Sequence, residues 1–542
     1  MFHWLTEKLV LRHYFDRNIA ADDVYQNEAM YAFPFFIALD RERGYPCPHY
    51  LHTRIPERSR GTEIRSKAIA CGEMIMNKVE AVRLSRDYLA ASPDKKAELG
   101  KSLREYSGKV ESIIQQLIAS QEKRWQYKTG ASTAQHFTAP ENLDEYRDDL
   151  LYFYVPEEYD ASEPFGLLIF MHGGGKGTPR ESAWKVISTP DADRESYGFL
   201  PYIGHAPFIT VAPSALWNEE THKRWCVPET DDYIAAVIRE CHYRFNIDRD
   251  RVVLGGHSMG GFGAYHLCQR LSDRIAGGIL SAGAWRVANW RCMIGTPLFI
   301  NHGTNDAVAP DTPGKKARPR YTDVFYAQAA HKLLTEAGVE HIYAEHGGGH
   351  PLSDAGESLF DLVEWIGTRR RDPFSSRVVA VTPRGWHAAS ELPTPHTHWL
   401  DAPHDRSAPH HRWVSVLEIG EGKIPFHAAA ETGMPREWGE SLEDFNNQGF
   451  KLTKTMVRAG LVDAEYKGKN VFEVKTENVR KFSLWLHPKM VDFDNPVVII
   501  VNGEKRSYET RPGLLDALRS YERRSDWGLI YHCELVIDHY QQ

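Results

Sequence analysis

Cysteine is scarce in this chain of 542 residues, which has seven, scattered along its length. None belongs to a C-x-x-C pair, so the sequence indicates neither a disulfide framework nor a zinc-binding knuckle. Long apolar runs are also lacking, since no stretch approaches the roughly 18 apolar residues that span a bilayer. The N-terminal residues 1–9 carry charged and aromatic side chains too early for a secretory signal. These absences favour a cytoplasmic protein without a membrane span, and a secreted protein whose signal has been removed is the alternative.

A large excess of one sign of charge is lacking as well. The chain has 65 basic and 73 acidic residues, which gives a formal net charge of -8. This small excess argues against nucleic acid and against an anionic membrane surface as partners. With 42% hydrophobic and 25% charged residues, the composition is typical of a soluble globular protein. The length predicts roughly three or four structural units.

Residues 1–135 form the first predicted unit, which is mostly helical. The stretches 62–89 and 94–127 are charged and free of interior proline, and a Ser-Pro-Asp turn at 92–94 separates them. Apolar residues of the second stretch keep helical spacing. The pair predicts an antiparallel helical hairpin, which would either support the rest of the chain or cap a catalytic site.

Residues 136–372 show strands that alternate with helices. Near-continuous apolar strands separated by helices predict an α/β fold with a mostly parallel sheet covered on both faces. One of the helices, 322–337, ends at Gly338, a residue type that closes helices. The charged, proline-containing segment 369–373 ends this unit. The strand candidates are 149–155, 165–171, 207–212, 251–254, 275–281, 297–302 and 341–345.

Residues 373–542 predict a third unit that is rich in β-strands. The dipeptide Asn502-Gly503 is a hairpin signal, and residues 514–523 predict one inserted helix. We expect an all-β sandwich-like module, and the accessory regions could also mediate homo-oligomer formation. A proline- and histidine-rich stretch, 387–411, precedes strand-like runs at 412–419, 455–459, 470–475, 481–487 and 496–501.

The octapeptide 255–262, Gly-Gly-His-Ser-Met-Gly-Gly-Phe, contains the pattern G-x-S-x-G centred on Ser258. The apolar run 252–254 precedes it as a buried strand, and apolar residues at helical spacing follow it from Ala264 to Leu271. Strand, glycine-rich turn and helix are the context of a nucleophile elbow, which presents a serine hydroxyl above a sheet. Ser258 is therefore the predicted nucleophile, and an ordinary turn serine is the alternative.

A serine hydroxyl needs a base to become a good nucleophile, and the base needs an acid to fix its tautomer. Asp306 and His350 each follow a predicted strand, so both lie at carboxyl ends of strands, where open parallel sheets bind ligands. We predict Asp306 as the acid and His350 as the base. The alternatives are Asp311 or Glu345 for the acid, and His346 or His302 for the base.

Acyl transfer also needs backbone N–H donors for the oxyanion of its transition state. Met259, directly after the serine, should provide one donor at the start of a helix. The second should come from the loop 172–175, His-Gly-Gly-Gly, because glycines let the backbone approach the substrate closely. Gly174 is the first choice and Gly173 the second. A tight turn, or a phosphate cradle with Lys176, is the alternative interpretation of this loop.

Three weaker patterns concern specificity and metals. Trp225 and Trp285 are candidates for lining an acyl or alcohol pocket, and either could equally belong to the core. The basic segment 315–320 could bind a carboxylate of the substrate. His396 and His398 are two residues apart, so on a strand they would lie on the same face and could bind a metal. The intervening prolines and the irregular spacing of the other histidines argue against a metal site.

Five motifs in order make residues 148–368 resemble the α/β-hydrolase superfamily, and within it the esterase, dienelactone-hydrolase and prolyl-oligopeptidase-like branch. The motifs are the lead-in 154–160, the loop 172–175, the segment 248–261 and the loops 301–306 and 347–350. The resemblance implies a serine-dependent acyl hydrolase that needs no metal or organic cofactor.

We therefore expect a carboxylesterase-like enzyme that cleaves small-molecule or polymeric esters through an acyl-enzyme intermediate. A serine peptidase or amidase with the same residues is the first alternative, because acyl chemistry does not separate esters from amides. A binding or scaffold protein on an inactive hydrolase fold is the second.

Overall fold

The computed structural model describes most of the chain from residue 76 onward, and every described residue belongs to one compact unit, 73–542. Predictions that fall on residues 1–75 and 385–409 lie outside the described residues. None of the described helices combines the length and apolar character needed to cross a membrane. The described residues are 76–121, 123, 127–131, 135–137, 149–174, 178, 180–188, 196–215, 225, 230–306, 322–384, 410–431 and 450–538.

A nine-stranded sheet forms the centre of the molecule, in the order β1-β3-β5-β4-β6-β7-β9-β10 with β2 beside β3. The strands from β5 to β10 along this path run parallel, and β3 is antiparallel to β5. The prediction of a mostly parallel sheet is thus confirmed. These strands are β1 Gly130–Ala131, β2 Gln135–Phe137, β3 Asp149–Val155, β4 Phe165–Met171, β5 Phe208–Pro213, β6 Ile247–His257, β7 Gly277–Ser281, β9 Leu298–Gly303 and β10 His341–His346.

Both faces of this sheet are buried, as its apolar strands require. On β4, Leu167, Ile169 and Met171 join one hydrophobic core, and Leu168 and Phe170 join the core on the other face. This division follows from the two-residue period of a strand. Burying a side chain of this size stabilises the fold by roughly 1.5–3 kcal/mol, so the central sheet is a rigid platform.

Ten described α-helices surround the sheets. The predicted helix near 322–337 begins at Phe325, and Gly338 ends it in a left-handed conformation with φ of 69°. The α-helices are α1 Lys78–Ala90, α2 Pro93–Arg104, α3 Val110–Ala119, α4 Trp184–Ile187, α5 Leu200–Ile203, α6 Thr230–Arg244, α7 Met259–Arg270, α8 Phe325–Ala337, α9 Ser358–Thr368 and α10 Leu514–Arg524; short 3₁₀ helices span Arg180–Ala183, Trp290–Met293 and Leu352–Ala355.

The N-terminal helices differ from the predicted hairpin. Three helices replace two, because the chain leaves the helical conformation between α2 and α3, around Ser107 and Gly108, residue types that disfavour helix interiors. Their buried side chains, including Leu103 and Ile114, pack against Leu515 and Leu518 of α10. The N-terminal helices therefore share a hydrophobic core with the C-terminal region.

The hypothesis of a cap over the serine does not fit α1–α3. Gln121, just after α3, accepts a hydrogen bond of 3.1 Å from Arg249 Nη2. Arg249 lies at the start of β6, whereas Ser258 follows its end, and at about 3.3 Å per residue the two are roughly 30 Å apart. These helices thus meet the edge of the sheet opposite the serine. The rest of the predicted N-terminal unit lies outside the described residues.

The C-terminal region contains two further sheets that pack face to face. One has the order β11-β16-β17-β19-β20 and the other β12-β13-β18-β21. Phe472 and Val474 from the first share a core with Phe482 and Leu484 from the second, so the predicted sandwich-like module is confirmed. Its strands are β11 Arg377–Thr382, β12 His410–His411, β13 Val414–Ile419, β16 Gly460–Tyr466, β17 Val471–Glu477, β18 Val479–Leu486, β19 Val497–Val501, β20 Glu504–Tyr508 and β21 Cys533–Asp538.

A hairpin of the C-terminal region packs against one face of the central sheet. Its strands, β14 Ile424–Glu431 and β15 Phe450–Val457, form a three-stranded sheet with β8, Val287–Ala288. Phe426 and Val381 also join the core that covers the central sheet. The boundary predicted at residue 372 falls between α9 and β11, but the hydrophobic core is continuous across it.

Candidate active site

Ser258 occupies the turn between β6 and α7 with φ of 59° and ψ of -120°. Residues with a Cβ rarely adopt this conformation, which costs roughly 1–3 kcal/mol. Two flanking glycines make the turn sterically accessible. A Cβ at Gly256 would overlap the backbone of Gly260, and a Cβ at Gly260 would overlap the carbonyl of Met171. The pattern G-x-S-x-G therefore describes a tight, strained turn that projects the hydroxyl beyond the carboxyl end of β6.

His350 connects Ser258 to Asp306. Its Nε2 lies 2.8 Å from Ser258 Oγ, and its Nδ1 lies 2.8 Å from Asp306 Oδ2. An ionised carboxylate only accepts hydrogen bonds, so Nδ1 carries the proton and Nε2 presents its lone pair to the serine hydroxyl. The structure thus brings the three predicted residues into one continuous hydrogen-bonded chain.

The environment of Asp306 keeps its carboxylate ionised. The residue is buried, which opposes ionisation, but hydrogen bonds with His302 and His350 outweigh burial and lower the pKa of Asp306 to about 2. Thr322 Oγ1 donates a further hydrogen bond of 2.9 Å to Oδ1, and His302 Nε2 lies 3.4 Å from Oδ2. Asp306 is therefore a fixed negative charge behind the imidazole of His350.

Backbone hydrogen bonds between two neighbouring loops fix the positions of Asp306 and His350 relative to each other. They follow the adjacent parallel strands β9 and β10. The backbone N–H of Thr304 donates to His346 O at 2.8 Å, and that of Asn305 donates to Gly348 O at 3.0 Å. A side chain at Gly303 would overlap the backbone of Gly348 and Gly349. The glycines of this motif thus allow the two loops to make backbone contact.

The alternative acids and bases have other partners. His346 Nδ1 accepts a hydrogen bond from the N–H of Gly348 at 3.3 Å, and His302 Nε2 donates to the carbonyl of Thr322 at 2.7 Å. Glu345 accepts from Thr304 Oγ1 at 3.0 Å and from Gln328 at 3.1 Å. The remaining alternative, Asp311, lies outside the described residues.

The predicted oxyanion donors flank the serine. Met259 is the first residue of α7, where backbone N–H groups lack helical partners and the helix dipole is positive. On the other side, a Cβ at Gly173 would come within 2.9 Å of Ser258 Cβ, whereas Gly174, with φ of 140°, faces Thr178. Gly173, the second choice from sequence, is therefore the glycine in contact with the serine.

Tyr197 is a site residue that sequence reasoning missed. Its hydroxyl accepts a hydrogen bond from the backbone N–H of Gly173, and its ring packs edge-on against His257, with centroids 5.4 Å apart. Tyr197 follows no periodic apolar pattern and belongs to no motif, so the sequence offered no signal for it. Its hydroxyl lies at the position where an oxyanion bound to Gly173 would also be placed.

Two buried histidines support the site. His172 Nδ1 donates to its neighbour Gly173 O at 2.8 Å, and its Nε2 accepts from the N–H of Ala215 at 3.1 Å, so one neutral tautomer satisfies both contacts. His257, next to Ser258, contacts Ser281 Oγ at 3.0 Å through Nδ1. Burial lowers the pKa of His257 to about 3, which keeps it uncharged beside His350.

The prediction that Trp225 and Trp285 line an acyl or alcohol pocket is wrong. Both side chains are fully buried in the main core. Trp225 Nε1 donates to His172 O at 3.0 Å, and Trp285 Nε1 donates to Tyr326 O at 2.9 Å. Buried tryptophans with satisfied N–H groups serve packing, and Trp225 also supports the loop that carries Gly173.

One cluster of metal-ligating residue types occurs among the described residues, away from the serine. It consists of Glu111, His487 and His532, with Glu111 Oε2 3.7 Å and 3.4 Å from the Nε2 atoms of the histidines. His487 Nδ1 accepts the backbone N–H of Lys489 at 3.0 Å. The proton of His487 therefore lies on Nε2, the atom that faces Glu111, and this ring offers no lone pair to a metal.

The remaining weak predictions cannot be compared with the structure, because their residues lie outside the described ones. They are the phosphate cradle with Lys176, the carboxylate-binding segment 315–320 and the histidine pair His396 and His398.

Comparison with known proteins gives distant relatives. No protein-family model matches the chain. A bifunctional acetylxylan esterase/xylanase of Neocallimastix patriciarum is 25% identical over 181 residues, which cover 32% of this chain and 24% of that protein. The match thus spans about a quarter of the relative.

Solved structures with similar parts include a ferulic acid esterase of Anaeromyces mucronatus and an acylaminoacyl peptidase of Pyrococcus horikoshii. The first is 18% identical, with a TM-score of 0.33 over 45% of this chain and 93% of that one. The second is 13% identical, with a TM-score of 0.34 over 45% of this chain and 43% of that one.

The fold assignment rests on this chain's own topology. The sheet places its antiparallel strand β3 second in the order and runs parallel from β5 onward. A strained serine turn ends the central strand β6, and an acid and a histidine follow the later strands β9 and β10. These are the features of the fold that the sequence motifs implied. The central part of this chain has the α/β-hydrolase fold.

Proposed function

We propose that this protein is a serine esterase that hydrolyses carboxylic esters through an acyl-enzyme intermediate. The observation that carries the proposal is the chain of two 2.8 Å contacts from Asp306 through His350 to Ser258. It joins a fixed negative charge, an oriented imidazole and a hydroxyl at a strained turn, which are the parts that activate a serine.

We propose a role for each of these groups in acylation. Ser258 Oγ bonds to the ester carbonyl carbon as its proton passes to His350 Nε2. His350 then gives this proton to the alcohol oxygen as the C–O bond breaks and the acyl-serine remains. Asp306 holds the Nδ1 proton and stabilises the imidazolium throughout. In deacylation a water molecule replaces the alcohol, and the same proton transfers release the acid and restore the serine.

The oxyanion formed in both steps needs donors close to the serine. We propose the backbone N–H of Met259 and that of Gly173, with Gly174 as the alternative from the same loop. Because Tyr197 Oη already accepts from Gly173 N–H, a substrate oxygen must displace or share this contact, and the tyrosine hydroxyl can then donate to it. Loss of one such donor typically slows catalysis by about 10²–10³-fold.

The relative's name supports the choice of ester over amide. It is an acetylxylan esterase/xylanase, so we propose acetyl and other short acyl esters, including those of carbohydrates, as the substrate class. The bond would be that between a small acyl group and a sugar hydroxyl. The peptidase alternative shares the triad and is an outcome of the experiment below.

The experiment compares aryl esters of increasing acyl length, acetylated xylan and matched anilides as substrates for the wild type and Ser258→Ala. We expect hydrolysis of short aryl esters and release of acetate from xylan, with both lost in Ser258→Ala. Ser102→Ala, at an exposed position of α2, is the matched control and should keep full activity. If only the anilides are hydrolysed, the protein is an amidase and the esterase proposal is wrong.

If the wild type is inactive on every substrate and a fluorophosphonate does not label Ser258, the esterase proposal is wrong and the protein is a binding protein on a hydrolase fold.

We also propose a cytoplasmic location, which fractionation of the producing cells tests. Self-association through the accessory regions is a separate proposal, and sedimentation velocity tests it.

A further inference from the structure

A cavity of about 230 Å³ lies at the edge of the central sheet opposite the serine. Its walls come from three parts of the chain: the end of α3, the hydrolase elements α6 and β6, and the end of α10 with the turn after it. The cavity is therefore a junction between the N-terminal helices, the hydrolase domain and the C-terminal region.

Three arginines line this cavity, Arg239 from α6, Arg249 from β6 and Arg274 from the turn after α7. Arg249 Nη2 donates to the uncharged amide oxygen of Gln121 at 3.1 Å. Among the described residues, no carboxylate forms an ion pair with any of the three. The cavity thus concentrates positive charge that the described protein does not neutralise by direct contact.

The nearest acids are already engaged with other arginines. Asp526, which also lines the cavity, binds Arg371 through both carboxylate oxygens, at 2.6 Å and 3.1 Å. On α6, Glu240 pairs with Arg244 at 2.6 Å, and Asp231 pairs with Arg270 at 2.6 Å. The direct ion-pair partners of Asp526, Glu240 and Asp231 are therefore other arginines, although the charge of Asp526 also attracts Arg249 and Arg274.

Burial and charge both act on the arginines of this cavity. Burial and the charge of Arg274 lower the pKa of Arg239. Burial also lowers the pKa of Arg249, although the charge of Asp526 acts in the opposite direction. His242, on the same wall, is uncharged at neutral pH, because burial and the charge of Arg249 lower its pKa to about 3. A bound anion would relieve these costs, since it supplies the opposite charge at the same place.

Aromatic rings form part of the wall, beside aliphatic and polar side chains. Tyr521 stacks on Trp527 with ring centroids 3.9 Å apart, and Tyr243 also lines the cavity. Guanidinium groups bind phosphate through paired N–H donors, and aromatic faces accept planar or apolar groups. Together these side chains suit a small molecule that carries a multiply charged anionic group and an organic group.

We propose that this cavity is a binding site for a small organic phosphate, held by Arg239, Arg249 and Arg274 with its organic part against Tyr521. The site is separate from the serine, which follows the far end of β6. Because all three parts of the chain contribute walls, the bound phosphate bridges them and stabilises their assembly by mass action. The proposal is independent of the esterase function.

The test is calorimetric titration with phenyl phosphate and with inorganic phosphate at constant ionic strength, together with thermal unfolding. We expect phenyl phosphate to bind more tightly than inorganic phosphate and to raise the melting temperature. Arg239→Gln and Arg274→Gln should each weaken binding by roughly ten- to hundredfold, the worth of a hydrogen bond to a charged group. Arg506→Gln, an exposed arginine on β20, is the matched control and should bind as the wild type does.

Two further readouts separate this site from a structural arginine cluster and from the active site. Without phosphate, Arg239→Gln should melt at a higher temperature than the wild type, because one repelling charge is gone. Ser258→Ala should bind phenyl phosphate as tightly as the wild type. Absence of binding at millimolar phenyl phosphate, or equal affinity in Arg239→Gln and Arg274→Gln, would overturn the proposal.

Discussion

At the scale of single residues, the backbone of Ser258 holds strain that a glycine would not have. Its φ of 59° and ψ of -120° are accessible to glycine at little cost. We expect Ser258→Gly to exceed Ser258→Ala in free energy of unfolding by about 1 kcal/mol, with both variants inactive. Urea denaturation of the pair measures the difference. Equal stabilities would show that the turn is not strained in solution.

The carboxylate of Asp306 should make stability depend on pH in the acid range. Hydrogen bonds with His302 and His350 outweigh burial and lower its pKa from 3.8 to about 2. A depressed pKa stabilises the folded state above the unfolded value, and this contribution disappears as the pH falls from 3.8 toward 2. The shift corresponds to about 2 kcal/mol.

The measurement is the free energy of unfolding of the wild type and Asp306→Asn from neutral pH to pH 2 or so. The excess stability of the wild type should be constant at neutral pH and shrink below pH 4. Asp361→Asn, on the first turn of α9, controls for loss of a carboxylate. A difference independent of pH would show that Asp306 is not ionised in the folded protein.

The sequence could place Ser258, Asp306 and His350 together, because each follows a predicted strand within a few residues and parallel strands end at one edge. It could not rank Gly173 against Gly174, since a difference of one residue in a loop depends on backbone angles. The role of Tyr197 was also invisible, because it reaches the site across the fold. Local motifs therefore predict the reacting groups, and tertiary packing decides their supports.

At the scale of elements, the strands of the central sheet from β3 to β10 were predictable, whereas β11, β16 and β20 of the C-terminal region were missed although β11 and β16 are largely buried. Strands such as β4, Phe165–Met171, are continuous apolar runs because both faces are covered. The edge strand β20, Glu504–Tyr508, is almost wholly exposed and has no apolar pattern, although the Asn502-Gly503 turn before it was recognised. The helix break between α2 and α3 was missed because helical spacing continues on both sides of it.

The hairpin β14–β15 should be essential to stability through Phe426. This side chain is buried in the core that covers the central sheet, so Phe426→Ala should lower the free energy of unfolding by about 3–5 kcal/mol. Met456 on the paired strand is 53% exposed, and Met456→Ala should change stability by less than about 0.5 kcal/mol. Guanidinium denaturation of both variants tests this. Similar losses would mean that the hairpin does not pack as described.

At the scale of the whole molecule, a buried ion-pair network joins the hydrolase domain to the C-terminal region. Arg371 donates to Asp250 at 2.9 Å and to Asp526 at 2.6 Å. Coulombic attraction and hydrogen bonds from Arg371 outweigh burial and hold the pKa of Asp526 below its ordinary value. The network therefore links the start of β6, the end of the hydrolase domain and the turn after α10.

We expect Asp526→Asn to lower the free energy of unfolding by about 3–5 kcal/mol, because it leaves Arg371 buried without one of its partners. Asp494→Asn, at an exposed turn, should have little effect. In the double variant Arg371→Met/Asp526→Leu most of the loss should be recovered, since neither charge remains. Differential scanning calorimetry of the three variants and the wild type tests the network. Equal stability of Asp526→Asn and the wild type would contradict it.

The pairing of β8 with β14 has a consequence for how the protein is made. A ribosome adds about 5–20 residues per second, so roughly ten to thirty seconds separate the emergence of β8 from that of the complete hairpin. Within this interval the hydrolase domain is completed, since α9 ends at residue 368, yet one side of its core still lacks the side chains that cover it. Nascent chains with exposed apolar surface are targets for chaperones and prone to aggregation. Translation speed through residues 289–457 therefore sets how long this protein remains vulnerable before it can finish folding.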